Sequence, residues 1–395
     1  LTTKSNTGKL RADISLNPTM AIAKIQHLLS TRGNRLNLLI ASSAALAIVG
    51  AGALLIATKA SGFFAATESE SATLATNATL VTDATASGGQ AVQFNAPAGG
   101  GGGGGDGGGG GTSCSGAANH VPDGPDGTGT CWPGTNNTGI PAGTVLTSTS
   151  SCTITTANVV LDSKNFTCDL VVRAANVTVK NSKVNGQVVV DTDANNTWSL
   201  TIQDSEIDGG PYDLSSMSNG NITAIRMNIH GGHNGLECQE HSSHCTLQDS
   251  FIHNQYDPHD NNAHIGGALI MAGNNITFQH NTVWCESTTG CTGDINLIPY
   301  YDPPTVFYIT GALIKHNLFV ANANASYCTY GGTKIASHGT NIVYQDNIFQ
   351  RGSNNLCGTY GPVTDFEFGN AGNVWTNNKW DNGQTVVCTA ADECL

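Results

Sequence analysis

VTVKNSKV at 177–184, LTIQDSEI at 200–207, ITAIRMNI at 222–229, CTLQDSFI at 245–252, ITFQHNTV at 276–283, ALIKHNLF at 312–319, IVYQDNIF at 342–349 and VWTNNKW at 374–380 are copies of one local pattern. Each alternates apolar and polar residues, passes through a polar pair ending in Ser or Asn, and returns to an apolar residue. Aligned, the copies place Ser182, Ser205, Asn228, Ser250, Asn281, Asn317, Asn347 and Asn378 in one row, at intervals of 23, 23, 22, 31, 36, 30 and 31 residues. A period in the low twenties built from short alternating strands predicts a solenoid, because such strands satisfy their edges only by stacking on the next repeat. Asn tolerates a left-handed backbone, and its amide can bond the Asn of the next repeat, so the row reads as a ladder along one corner. An antiparallel sandwich would instead show hairpin turn signals every ~8–12 residues. The fold expected is all-β, a right-handed parallel β-helix.

Outside that region the chain changes character. Residues 36–58, LNLLIASSAALAIVGAGALLIAT, carry no charge, and 23 residues of helix are enough to span a hydrocarbon core of ~30 Å. Lys4, Lys9, Arg11, Lys24, Arg32 and Arg35 precede them, which predicts a cytoplasmic N-terminus (1–35), a transmembrane anchor (36–58) and everything later outside. A cleaved signal peptide, cut near Thr58-Lys59-Ala60 or Ala65, is the competing expectation, and Met20 is a candidate initiator. Residues 59–111 are rich in Ala, Thr and Ser and end in Gly99–Gly105, Asp106 and Gly107–Gly111, the composition of a disordered linker. Within it, Ala75–Phe94 has the look of a β-sandwich edge too short to fold alone. Residues 112–395 form the predicted β-helix domain.

Charge and cysteine usage place that domain chemically. The chain's formal charge is −13, and its negative charge belongs to residues 112–395, which hold nine Lys or Arg against 24 Asp or Glu. An acidic body repels phosphate backbones and argues against nucleic acid. All 12 cysteines lie between Cys114 and Cys394, with close pairs Cys152/Cys168, Cys238/Cys245, Cys285/Cys291 and Cys388/Cys394 and no CxxC. Disulfides in an oxidising compartment are expected, not thiolate zinc sites. Cys114 and Cys131 precede the first clear coil and are expected to cap the end of the solenoid.

The segment PGTNNTGIPAGTVLTSTSSCTITTANVVLDSKNFTCDLVVRAANVTVKNSKVNG, followed by IHGGHNGLEC, GCTGDINL, YCTYGG and GPVTDFEFGNAGNVWTNNKW, resembles a family of secreted bacterial right-handed β-helix proteins related to pectate lyases. The likeness covers roughly residues 131–382. It implies the fold, whereas members are mostly named by their repeat and not by a reaction. The pectate-lyase elements Arg-x-Pro-x-x-Arg and Trp-Ile-Asp-His do not occur, and the nearest string to His-x-Asp-Gly-x-Gln, residues 264–269, lacks the acid and the amide.

Longer late intervals imply loops on one face, where solenoids commonly bind ligands. Eight of the 12 histidines fall between His230 and His280. HGGHNGLE at 230–237 and NQYDPHDNNAH at 254–264 lie one coil apart, a stacking distance of ~4.8 Å. A divalent-cation site at Glu237, Asp257, His259 and Asp260 is therefore expected, Ca²⁺ if oxygens dominate and Zn²⁺ if histidines do. Histidines that merely cap turns are the plainer alternative. For β-elimination on an acidic polysaccharide, the cation neutralises the uronate and a base removes the neighbouring proton. Candidates are Lys315, Arg226, Lys334, Arg351, His233 or His264. For glycoside hydrolysis, Glu237 would pair with Asp257, Asp260 or Asp294. The catalytic candidates are thus His233, Glu237, His264, Asp294 and Lys315. The functional expectation is an extracellular carbohydrate-active protein, a lyase first and a hydrolase second, acting as a monomer on polysaccharide or cell-surface glycan. A non-catalytic adhesin is the alternative.

Overall fold

The computed structural model describes residues 78–82, 90–94, 114–116, 118–239, 244–259, 264–299, 301–302, 305–333 and 338–388. The expected membrane segment at 36–58, together with Asp260, Lys334 and Cys394, lies outside the described residues. Among those described, no helix is long and apolar enough to cross a membrane. The chain divides into two units at Asp106/Gly107. In the first, within the stretch read as linker, Ala78–Thr82 and Gln90–Phe94 pair antiparallel.

The second unit is a parallel β-helix. Its strands fall into three parallel sheets of nine, ten and nine strands, and the chain visits them in strict rotation. One turn runs Val177–Lys180 in the first sheet, Lys183–Asn185 in the second and Val188–Val190 in the third, then returns to the first at Leu200–Gln203. Alternation decides what faces inward. Val179, Ile202, Ala224, Leu247, Phe278, Ile314 and Tyr344 stack in register inside the first sheet. Phe166, Val184, Ile207, Ile229, Ile252, Val283, Phe319, Phe349 and Trp380 do so inside the second. These residues are buried, and their stacking supplies the apolar burial that stabilises each coil on the next.

The corner between the first and second sheets is one left-handed residue followed by one inward residue. Asn181, Asp204, Arg226, Asp249, His280, His316, Asp346 and Asn377 all have φ between 49° and 57°. The inward row is the ladder. Ser182 N–H donates to Ser205 Oγ (2.9 Å), Ser250 N–H to Asn281 Oδ1 (3.0 Å), Asn281 N–H to Asn317 Oδ1 (3.0 Å) and Asn347 N–H to Asn378 Oδ1 (3.1 Å). One expected rung is misplaced. Met227, not Asn228, occupies the slot: its N–H donates to Ser250 Oγ (2.9 Å) and its side chain is fully buried. Ile229 must face the core beside Ile207, and that fixes Asn228 opposite Glu206 on the outer face of the second sheet.

Disulfides join Cys152–Cys168, Cys238–Cys245, Cys285–Cys291, Cys328–Cys357 and Cys114–Cys131. The segment closed by Cys114–Cys131 does not cap the solenoid's end. It runs with the residues that follow it along the corner between the first and second sheets, Gln350 Nε2 donating to His120 O (2.7 Å) and, further on, Gly139 N–H to Arg226 O (2.9 Å). Trp132 draws it there, fully buried in a cluster with Leu318 and Val320. At the other end, the chain after Trp380 folds back over the last coil. Trp380 N–H donates to Gln384 O (2.8 Å), Trp375 Nε1 to Val386 O (3.2 Å), and Val386 is buried.

Candidate functional site

Since Ile207, Ile229 and Ile252 face the core, the residue after each faces out, so Asp208 pairs with His230 and His253 follows one coil later. This row borders an open cleft of about 630 Å³ at the turns from the second sheet to the third, lined by Asp208, His230, Tyr256, Asp257, His259 and Glu286 among others.

His230 is held by two acids. His230 Nε2 lies 3.1 Å from Glu206 Oε1, and its Nδ1 lies 3.8 Å from Asp208 Oδ1. The His230 hydrogen bond, assisted by Lys183 Nζ at 2.7 Å, pulls the Glu206 carboxyl down to about 2 against the effect of its burial. His253 stacks on Phe251 with centroids 4.2 Å apart and meets Asn228 Oδ1 at 2.9 Å. Burial and the neighbouring His230 lower its pKa to about 4, so it is neutral at pH 7. Its Nδ1 sits 4.0 Å from Glu286 Oε2.

Glu286 is set in the short loop closed by Cys285–Cys291, and Asn322 Nδ2 ties that loop by donating to Cys285 O (2.7 Å) and Ser287 O (2.8 Å). Its own N–H donates to Gln255 Oε1 (2.9 Å). Burial raises its pKa, partly offset by the Asn254 N–H that its Oε2 accepts. Asp257 behaves oppositely. Burial pushes it up, but the Thr289 and Thr288 hydroxyls (2.6 and 2.7 Å) and the His259 N–H (2.7 Å) hold it well below the usual carboxylate range. It works as the staple between two neighbouring loops.

The expected site residues disperse around the solenoid. Asp257 and His259 line the cleft; Asp260 lies outside the described residues. Glu237 stands on the outer face of the third sheet beside Leu269, accepting from Ser215 Oγ (2.5 Å) and Gln239 Nε2 (2.8 Å). His233 sits on the turn before it, its Nδ1 against Asp213 Oδ1. His264 is exposed just ahead of Ile265–Ile270. Lys315 is on the first sheet, between Gln279 and Gln345. Asp294 is buried: Oδ1 accepts the Cys285 N–H (2.8 Å), and burial pushes its pKa well up. Among the described residues, Glu237, Asp257 and His259 do not converge as metal donors; the one group that does is Asp126, His280 and His316.

Asp208, His230 and Glu286 emerge instead as the groups that share a cleft. A signal for them existed in EID at 206–208, NIH at 228–230 and FIH at 251–253. The copies at 200–207 and 222–229 already match Ile229 to Ile207, but nothing in the strings says that the residue after each isoleucine borders a cleft.

No family model matches the sequence, and no curated protein matches it either. A solved structure similar to this chain is the A-module of a mannuronan C-5 epimerase from Azotobacter vinelandii, with 11% identity and a TM-score of 0.36. The similarity covers 58% of this chain and 59% of that one, so the chain spans well under two thirds of its neighbour's length. The assignment of a parallel β-helix rests on the register of this chain's own strands.

Proposed function

We propose that the protein is an extracellular carbohydrate-active enzyme, held at a membrane through residues 36–58, that binds a polysaccharide across this cleft and cleaves a glycosidic bond between Glu286 and Asp208. The observation that carries the reading is the convergence of two carboxylate–histidine pairs from adjacent coils on one open cleft. Glycoside cleavage needs one carboxyl that keeps its proton and one that does not. Glu286, raised by burial, suits the acid that protonates the leaving oxygen. Asp208, on the same cleft and 3.8 Å from His230 Nδ1, is the carboxyl placed to serve as base or nucleophile. Tyr212 at the rim, 59% exposed and packed against Gly210, offers a face on which a sugar ring can stack.

Hydrolysis fits this set better than β-elimination. Among the described residues, no Lys or Arg lines the cleft to neutralise a uronate. The exposed Tyr212 also favours a second reading, a glycan-binding adhesin without turnover. The test is to give the purified full chain a panel of neutral and uronate-containing polysaccharides while following reducing ends and absorbance near 235 nm. New reducing ends without a rise at 235 nm, lost at least 100-fold in Glu286→Gln, are expected. A rise at 235 nm would replace hydrolysis by elimination, and binding without either signal would establish the adhesin.

A further inference from the structure

On the corner between the first and second sheets, away from the cleft, His280 and His316 occupy the same left-handed position on successive coils and project outward. Asp126, from the segment that runs along this corner, faces both. Its Oδ2 lies 3.0 Å from His316 Nε2 and 3.6 Å from His280 Nε2, and one donor atom from each of the three residues lies within 4.8 Å of the others. A tetrahedral zinc ion with bonds of roughly 2.0–2.1 Å sets its ligand atoms about 3.3 Å apart, so the carboxylate oxygen already stands near ligand spacing from each imidazole.

The surroundings are those of a supported metal ligand set. His280 Nδ1 lies 2.6 Å from Asp249 Oδ1, a contact that orients the ring with Nε2 toward Asp126. The Trp132 ring lies against both imidazoles, with centroids 5.6 Å and 4.9 Å away, and fixes their planes. The Asp126 side chain is fully buried, and no Lys or Arg pairs with it among the described residues. Its present partners are the Thr128 and Thr130 hydroxyls (2.5 and 2.7 Å), two backbone N–H groups and His316. Asp126 and His316 also border a cleft of about 390 Å³ through which a water could complete the coordination.

We propose that Asp126, His280 and His316 bind one zinc ion, which clasps the Cys114–Cys131 segment to two coils of the solenoid. Two imidazoles and one carboxylate suit Zn²⁺, whereas Ca²⁺ needs six to eight oxygens. The proposal stands apart from any reaction in the cleft.

The test uses the tag-free full chain in detergent, stripped with chelator, dialysed and titrated with zinc chloride. Bound zinc is measured by atomic spectrometry and the melting temperature is followed alongside. The wild type should take up about one zinc per chain beyond that held by the double variant His280→Gln/His316→Gln, and should melt higher with zinc than without. Asp249→Asn, which leaves the three ligands in place, should weaken binding roughly 10- to 100-fold. Cobalt in place of zinc should give visible absorption bands of a four-coordinate ion in the wild type. A wild type that holds no more zinc than the double variant, or that shows no cobalt bands, overturns the proposal whatever the variants' stability.

Discussion

Asn317 tests the ladder most directly. Its side chain is fully buried and makes four hydrogen bonds: Oδ1 accepts from Asn281 N (3.0 Å) and Asn281 Nδ2 (2.9 Å), while Nδ2 donates to Phe278 O (2.9 Å) and Asn347 Oδ1 (3.0 Å). In Asn317→Ala, the Asn281 amide loses its acceptor altogether. Asn281 Nδ2 keeps Leu247 O, and Asn347 Oδ1 keeps the Asn317 N–H. One orphaned donor costs about 1–3 kcal/mol, and the lost Phe278 partner with the small void adds roughly 1 kcal/mol, for a total of about 2–4 kcal/mol. Coils couple mainly to their neighbours, so the loss should be local as well as global. Hydrogen exchange at the Asn281 amide should accelerate roughly 30- to 1000-fold, and the urea midpoint should fall. Asn317→Asp adds a signature that a void cannot produce. The new carboxyl keeps both acceptor contacts only if its other oxygen stays protonated to face Phe278 O and Asn347 Oδ1, so its folded pKa lies above the unfolded value. Its stability is then fully present below about pH 4 and is lost as pH rises through the folded pKa. Unchanged Asn281 exchange in the alanine variant, or a pH-independent aspartate variant, would refute the ladder as a source of stability.

Two further predictions concern the interior beside the cleft. A Cβ at Gly267 would sit 2.2 Å from Val283 Cγ1 and 2.4 Å from Asp294 O, and the carbonyl cannot rotate away, so Gly267→Ala should lower the urea midpoint by an equivalent of about 1–3 kcal/mol or more. An unchanged midpoint would mean the third sheet yields locally. Asp294, raised by burial, should cost the wild type up to ~1.4 kcal/mol of stability per pH unit from about pH 4 up to its folded pKa, because the folded state there holds a proton the unfolded state has released. Asp294→Asn should flatten that slope, and parallel stability–pH curves for the two proteins would contradict the burial argument.

Much of the fold was legible because a period and an alternation are properties of the sequence itself. The row Asn281, Asn317, Asn347 and Asn378 could be aligned by eye and forms hydrogen bonds as aligned. Met227 escaped because it fills a polar slot with an apolar side chain, and the neighbouring Asn228 was the more persuasive letter. Asp294 and Lys315 show a different limit. Composition and spacing identify groups able to do chemistry, but only the direction of each strand's side chains tells which of them look inward or toward another sheet. The contact of Asp126 with His316, 190 positions apart, had no local signal at all.

The folded-back tail after Trp380 bears on how the molecule behaves in a crowd. A stack of strands grows by adding another strand of matching spacing, and its last coil offers any neighbouring chain a ready template. Here residues 383–386 turn back over that coil, with Thr385 bridging Lys379 in the opposite direction and Trp375 bonded to Val386. The reversal gives an arriving parallel strand the wrong polarity at that position. At that position the reversal opposes extension of the second sheet by a further parallel strand.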